Sequence, residues 1–297
     1  MVKSQSKRTG TQNMEDWMKP FENCTLCPRK CGVNRSAGKA GACHVDAQIG
    51  VARAALHFWE EPCISGEEGS GAVFFTGCSL GCVFCQNTEI SRGQAGENVS
   101  VERLAEIFLR LQEQGANNIN LVTAGHYVPA VAESLRRAKD KGLQIPVVYN
   151  SSGYELPDTL RLMEDLVDIY LPDMKYMDGE LAEKYSHAQN YPDVAKAALE
   201  EMVRQCPICE FDERGMMKKG VIVRHLLLPG HVRNSKAVMK YLHETYQDQI
   251  YISIMSQYTP MSQVIKYPEL NRRVTKREYS RLLDYVMELG IENGFFQ

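Results

Sequence analysis

A parallel α/β fold, arranged as a partial (βα)6 TIM-like barrel, is predicted by three observations. Short apolar runs alternate with amphipathic helices six times over about 220 residues, the pattern of parallel strands joined by helical crossovers. The chain has 297 residues, 44% of them hydrophobic, enough for one large core but short for eight such units. Eight of the ten cysteines lie at or before Cys85, so a segment of different chemistry precedes the regular part. A doubly wound open sheet is the alternative that this pattern leaves open.

Residues 1–20 read as a mobile tail and residues 21–66 as an irregular, cysteine-rich metal-binding segment. So small a segment has little core of its own and needs a staple. The turn-rich "SGEEGSG" (65–71) leads into residues 67–297, read as the barrel. "AVFFTGC" (72–78) is an apolar run ending in glycine, as a buried strand does. Over 101–114, Val101, Leu104, Phe108 and Leu111 share one helical face, with Ser100 placed to cap the start and Gly115 the end. "NINLV" (118–122) is a strand, 127–141 a helix, "IPVVY" (145–149) a strand and 157–164 a short helix. "LVDIYL" (166–171) is the fourth strand, followed by helices near 179–187 and 192–205. "GVIVRHLLL" (220–228) is a long strand, 235–246 a helix and "IYISIM" (250–255) the sixth strand. The last helix opens on the capping-box pair Thr275 and Glu278 and runs to Gly290.

Working groups in parallel α/β folds lie at the carboxyl ends of the strands. Here those ends carry Cys78, then "TAGH" (123–126), "NSSG" (150–153), "PDMK" with Asp173 and Lys175, and "SQY" (256–258). The fifth strand carries Arg224 and His225 and runs into "PGH" (229–231). One polar strand end is ordinary; six together beside three cysteines indicate a pocket. Arg224, mid-strand in an apolar run, needs a carboxylate if buried, either a ligand's or an internal Asp or Glu.

The formal net charge of −3 does not suggest a nucleic-acid partner. No apolar run reaches the ~18 residues of a membrane span, and the N-terminus lacks the apolar stretch of a signal peptide. A cytoplasmic location is therefore expected, with reduced thiols. Cys78, Cys82 and Cys85 follow the first strand as C-x3-C-x2-C. Structural zinc wants four ligands, and a disulfide leaves one thiol over. Three thiolates on an iron–sulfur cluster leave one iron open to a ligand.

The spacing C-x3-C-x-Phe-C at that place resembles the radical S-adenosylmethionine (SAM) superfamily. "CPRKCGVNR", "EEPCISG", "GSGAVFFTGC", "CQNTEIS", "LPDMKY", "RHLLLPG" and "SQYTP" together resemble its pyruvate formate-lyase-activating-like branch, over roughly residues 24–290. The resemblance implies a 4Fe–4S cluster on Cys78, Cys82 and Cys85, with SAM chelated at the fourth iron. It implies reductive cleavage to a 5′-deoxyadenosyl radical, which abstracts hydrogen from a substrate. A reductant such as flavodoxin or ferredoxin is implied as partner, with no nucleic acid and no membrane. Phe84 is expected beside the adenine. Thr123, Gly125, Asn150, Ser152, Asp173, Lys175 and Arg224 are expected around the cofactor, Asp173 through a monovalent cation. Where many members carry Gly-Gly-Glu, this chain has Thr123-Ala124-Gly125-His126. His126 is the one catalytic candidate.

The branch implies a glycyl-radical enzyme as substrate, activated in trans because this chain has no Arg-Val-x-Gly loop. Radical modification of a small molecule or of another protein is the alternative. A non-catalytic iron–sulfur carrier or zinc-stapled binding module is the reading from a different class. Cys24, Cys27, Cys31 and Cys43 (C-x2-C-x3-C-x11-C) are expected to form a second four-thiolate site, either 4Fe–4S or zinc. Cys206 and Cys209 make a lone C-x2-C, read as two unligated thiols.

Overall fold

The computed structural model describes residues 16–296. Most of the expected tail, residues 1–15, lies outside these; Asp16–Phe21 form a 3-10 helix whose Phe21 is fully buried.

The sheet begins earlier than the periodicity suggests. Strand β1 (Ile49–His57) lies in the segment read as irregular. It runs antiparallel to β2 (Ser70–Phe75), and β3 (Glu97–Val99) runs antiparallel to β1. From β2 the six expected strands are parallel neighbours: β2, β4 (Ile119–Val122), β5 (Val147–Ser151), β6 (Ile169–Pro172), β8 (Met217–Leu226) and β9 (Tyr251–Met255). The two-residue β7 (Glu210–Phe211) pairs with β8, and β10 (Gly294–Phe296) adds a parallel edge to β9. The path runs from β10 to β3 without the two ends pairing, so the barrel is partial.

Helices cover the outer face. α3 (Val101–Glu113) is capped by Ser100, which accepts from Arg103 N at 3.1 Å, and buries Val101, Leu104, Phe108 and Leu111 as its spacing requires. Each such large apolar side chain contributes roughly 1.5–3 kcal/mol by leaving water. α4 (Val128–Asp140) packs beside it. The short α5 (Pro157–Leu160), then α6 (Gly179–Ser186), α7 (Tyr191–Gln205) and α8 (Val232–Tyr246) continue the layer. α9 (Lys276–Leu289) starts on the Thr275/Glu278 capping box and ends at left-handed Gly290.

Two one-turn helices act on the site. α1 (Pro62–Ser65) sits across the amino end of the barrel: Asn117 and Asn118, just before β4, donate to Ser65 O and Ile64 O at 2.7 Å each. Cys63 and Ile64 there pack on Val148, Ile169, Leu171, Met217 and Ile222 from three strands, an apolar floor. α2 (Thr88–Ser91) follows the three-cysteine loop. Among the described residues no helix is long and apolar enough to cross a membrane.

Candidate active site

Above that floor, at the carboxyl ends of the strands, a cavity of about 530 Å³ opens. Its wall includes Cys78, Cys82, Cys85 and Phe84 from the loop after β2, and Thr123, Asn150, Ser152, Asp173, Lys175 and Arg224 from the next strands. Residues as distant in the chain as Cys78 and Arg224 thus face one space because parallel strands bring all their carboxyl ends to one side.

The cysteine loop is held by backbone contacts. Gly77 takes φ 91°, and a side chain there would meet Cys43 O at 2.7 Å. Cys78 N donates to Cys43 O at 3.2 Å, and Val83 N to Tyr185 O at 2.8 Å. Arg29 donates to Ser79 O, Leu80 O, Ser186 O and His187 O, clamping the loop to the end of α6. Burial raises the pKa of Cys78, and pushes Cys82 up to about 12 although Lys175 pulls the other way. Metal binding to such thiols releases their protons. Among the described residues no three Cys, His, Asp or Glu side chains form a closed liganding set as they stand. The donors nonetheless suit the cluster chemistry: three soft sulfurs face one cavity, with no fourth cysteine among the residues that line it. Phe84, nearly buried, packs edge-on against Tyr258 at 6.3 Å and walls the cavity.

The floor carries a charged network. Asp173 accepts from Lys175 Nζ on Oδ2 and from Arg224 Nε on Oδ1 at 3.1 Å. Arg224 Nη1 donates to Glu60 Oε2 at 3.1 Å and Nη2 to Asn150 Oδ1 at 2.6 Å. Glu60 Oε1 accepts from Asn120 at 3.0 Å. Burial pushes Asp173 up, but Lys175 and Arg224 outweigh it and hold the carboxyl below its usual range. Burial raises Glu60, with Arg224 opposing. Arg224 thus meets internal carboxylates, the second of the two partners its sequence position allowed. Each Asp173 oxygen carries one cationic partner, Lys175 on Oδ2 and Arg224 on Oδ1.

Thr123 stands at φ 63°, a left-handed conformation that a β-branched residue rarely adopts, with its N–H donating to Asn150 O at 2.8 Å. Gly153, also left-handed, lets the chain pass directly against Asp173 O.

Two expected residues do not face the cavity. His126 is buried and bonds Thr76 O through Nε2 at 2.7 Å; burial, with Arg35 adding to it, lowers its pKa to about 3. It is a packed neutral imidazole, carried by the one-turn helix Gly125–Tyr127 against the start of the loop after β2. Gly125 abuts the carboxylate of Glu155 instead of the cavity. Conversely, Glu60, Arg53, His57 and Tyr258 line the cavity without having been singled out as ligands. Arg53 and His57 have a legible signal, the period-two spacing of a strand. Glu60 has none, since it reaches the cavity from an irregular link.

The front cysteines gather beside this loop. Cys24, Cys27 and Cys43 are buried, while Cys31 is exposed. Burial pushes Cys27 up to about 12, with Cys43 and Cys24 as like neighbours. A Cβ at Gly41 would lie 3.4 Å from the sulfurs of both Cys31 and Cys43. Cys206 and Cys209 lie elsewhere, bonded to backbone carbonyls.

A partial barrel thus carries three cysteines on the loop after its first parallel strand. Residues 72–211 match the family model of the radical SAM superfamily. A 4Fe–4S cluster and SAM are the cofactors that a match to this family implies. An uncharacterised protein of Methanocaldococcus jannaschii is 28% identical over 280 residues, 92% of this chain and 76% of that protein. Methylornithine synthase superposes with a TM-score of 0.50 at 13% identity, covering 74% of this chain and 68% of that one. HydG, a maturase of the [FeFe]-hydrogenase, gives 0.50 at 14% identity over 74% of this chain and 49% of that one. These two likenesses are of fold.

Proposed function

We propose that Cys78, Cys82 and Cys85 hold the 4Fe–4S cluster and that SAM occupies the cavity above the Glu60–Arg224–Asp173 floor. The observation that carries this is the convergence of the three sulfurs with Phe84, Thr123, Asn150, Ser152, Asp173 and Lys175 on one space. When bound, the cluster and SAM supply a 5′-deoxyadenosyl radical able to abstract hydrogen. The chain's own part is positional. Phe84 and Tyr258 wall one side against water, Lys175 presents a buried cation near a ligand carboxylate, and Lys175 and Arg224 hold Asp173 ionised without solvent.

The hydrogen donor in this reading belongs to another protein, a glycyl-radical enzyme activated in trans. In support, Trp59 is 86% exposed and Phe58 52% exposed, and they adjoin His57 and Glu60 on the cavity wall. Such aromatic exposure suits a macromolecular partner. The second reading, a small polar substrate, is favoured by Asn120 Oδ1 on β4 and Ser253 Oγ on β9, buried atoms that lack a hydrogen-bond partner among the described residues. A flavodoxin- or ferredoxin-type reductant serves either.

The test is anaerobic: reconstituted protein, dithionite and SAM, with and without a candidate glycyl-radical protein. 5′-Deoxyadenosine and a protein glycyl radical in paramagnetic resonance are expected together. Nucleoside without a protein radical would favour the small substrate. No nucleoside from cluster-loaded protein under any condition would overturn the reading.

A further inference from the structure

Arg35 is 1% exposed, deep between the front segment and the barrel. Among the described residues it makes no ion pair. Its guanidinium donates to Val45 O, Asp46 O and His126 O, and lies over the rings of Phe21 and Tyr127 at 4.9 and 5.3 Å. Carbonyls and rings solvate a cation but do not neutralise it, and a buried charge without a counter-charge is costly. The remaining contact is with sulfur: Nη1 lies 3.6 Å from Cys24 Sγ.

That sulfur belongs to the group of four. Cys24 and Cys27 are fixed by turns, with Gly32 N donating to Cys24 O at 3.0 Å and Lys30 N to Cys27 O at 2.9 Å. Gly41 leaves open the space between the sulfurs of Cys31 and Cys43, which its own missing side chain would otherwise enter. Four neutral thiols offer Arg35 no charge. Four thiolates around a zinc ion or a 4Fe–4S core in its 2+ state carry about −2 in either case.

We infer that Cys24, Cys27, Cys31 and Cys43 hold an anionic four-thiolate metal centre and that Arg35 is its buried counter-charge. On binding, four Sγ–H bonds give up their protons to solvent and four metal–sulfur bonds replace them, with no change in oxidation state. The centre abuts the three-cysteine loop, since Cys43 carries both a ligand sulfur and the carbonyl that accepts from Cys78 N. It does not depend on that loop's own cluster.

The test therefore removes the other site first. Protein carrying Cys78→Ala, Cys82→Ala and Cys85→Ala is purified without oxygen and its metals are counted by mass spectrometry. About four irons or about one zinc per chain are expected to remain, and the element found identifies the centre. Adding Cys31→Ser, at an exposed position that the fold tolerates, is expected to abolish that metal. A folded triple variant with neither metal, or one whose metal survives Cys31→Ser, overturns the site. Arg35 is tested in the same background by the half-time of metal loss to a chelator, with circular dichroism confirming the fold. Arg35→Met is expected to shorten it roughly tenfold or more, as loss of outer-shell partners does, while Arg35→Lys stays close to the parent. Equal half-times for Met and parent overturn the counter-charge role. Should Arg35→Met not fold, Arg35→Gln takes its place, and a half-time within twofold of the parent counts against the role in the same way.

Discussion

Arg224 Nη1 lies 3.1 Å from Glu60 Oε2 inside the barrel. One partner stands on β8; the other stands on the link between β1 and α1, 164 positions away. The pair fastens the link to the wall on which the cofactor is proposed to rest.

Glu60→Gln keeps the shape and a hydrogen bond but removes the charge. It is expected to lower stability by about 1–3 kcal/mol, since Arg224 retains Asp173. Denaturant midpoints measure the stability, and SAM affinity of the cluster-loaded protein is expected to fall alongside. An unchanged midpoint would mean that water screens the pair.

Thr123 holds a backbone conformation that glycine adopts freely. Thr123→Gly is expected to raise unfolding stability by ~1 kcal/mol, because strain of this kind costs roughly 1–3 kcal/mol and glycine loses part of the gain through the freedom of its unfolded state. If the strain serves the site, SAM binding weakens as stability rises. Thermal unfolding and a binding titration on one preparation separate the two effects.

Arg29 ties four carbonyls of two loops together. Arg29→Ala leaves the three thiols in place but frees their loop. Expected is iron content near the parent's immediately after reconstitution, then at least roughly tenfold faster loss to a chelator. Equal retention would show that the loop is held by Cys43 and Tyr185 alone.

His126 and His225 are both buried and neutral, with pKa values lowered to about 3 and about 4 chiefly by burial. The unfolded chain binds those protons near pH 6.5, so between pH 6.5 and about 3 it holds more protons than the native state. Stability therefore falls as pH falls through that window and is unaffected by these groups above it. His126→Gln keeps a donor for Thr76 O and cannot titrate, so its acid-unfolding midpoint, followed by circular dichroism, is expected to lie at lower pH. A catalytic role would instead appear as lost turnover at neutral pH with no shift of that midpoint.

The six parallel strands were legible because strands covered on both faces become apolar runs. β1 was not, since "IGVARAALH" is buried only over its first three residues, beside the short edge strand β3, and mixes Arg53 with small residues. The three-cysteine loop was legible as local spacing, and Asp173, Lys175 and Arg224 as polar groups at strand ends or interrupting an apolar run. His126 lies outside the cavity lining, and a strand-end position does not reveal which way one helical turn points a side chain. The Glu60–Arg224 pair was hidden by its sequence separation: charge pattern exposes partners three or four residues apart, not partners that only a closed sheet brings together.

α1 stoppers the amino end of the barrel with Cys63 and Ile64. That end offers no way through, so the rim at the carboxyl ends is the approach left on this axis. In the proposed reading, arrival of the next reactant and departure of the spent nucleoside share that passage and take turns. Traffic through that passage, rather than bond breaking, then becomes a candidate for the slow step of each cycle, and free nucleoside a competitor for the entrance.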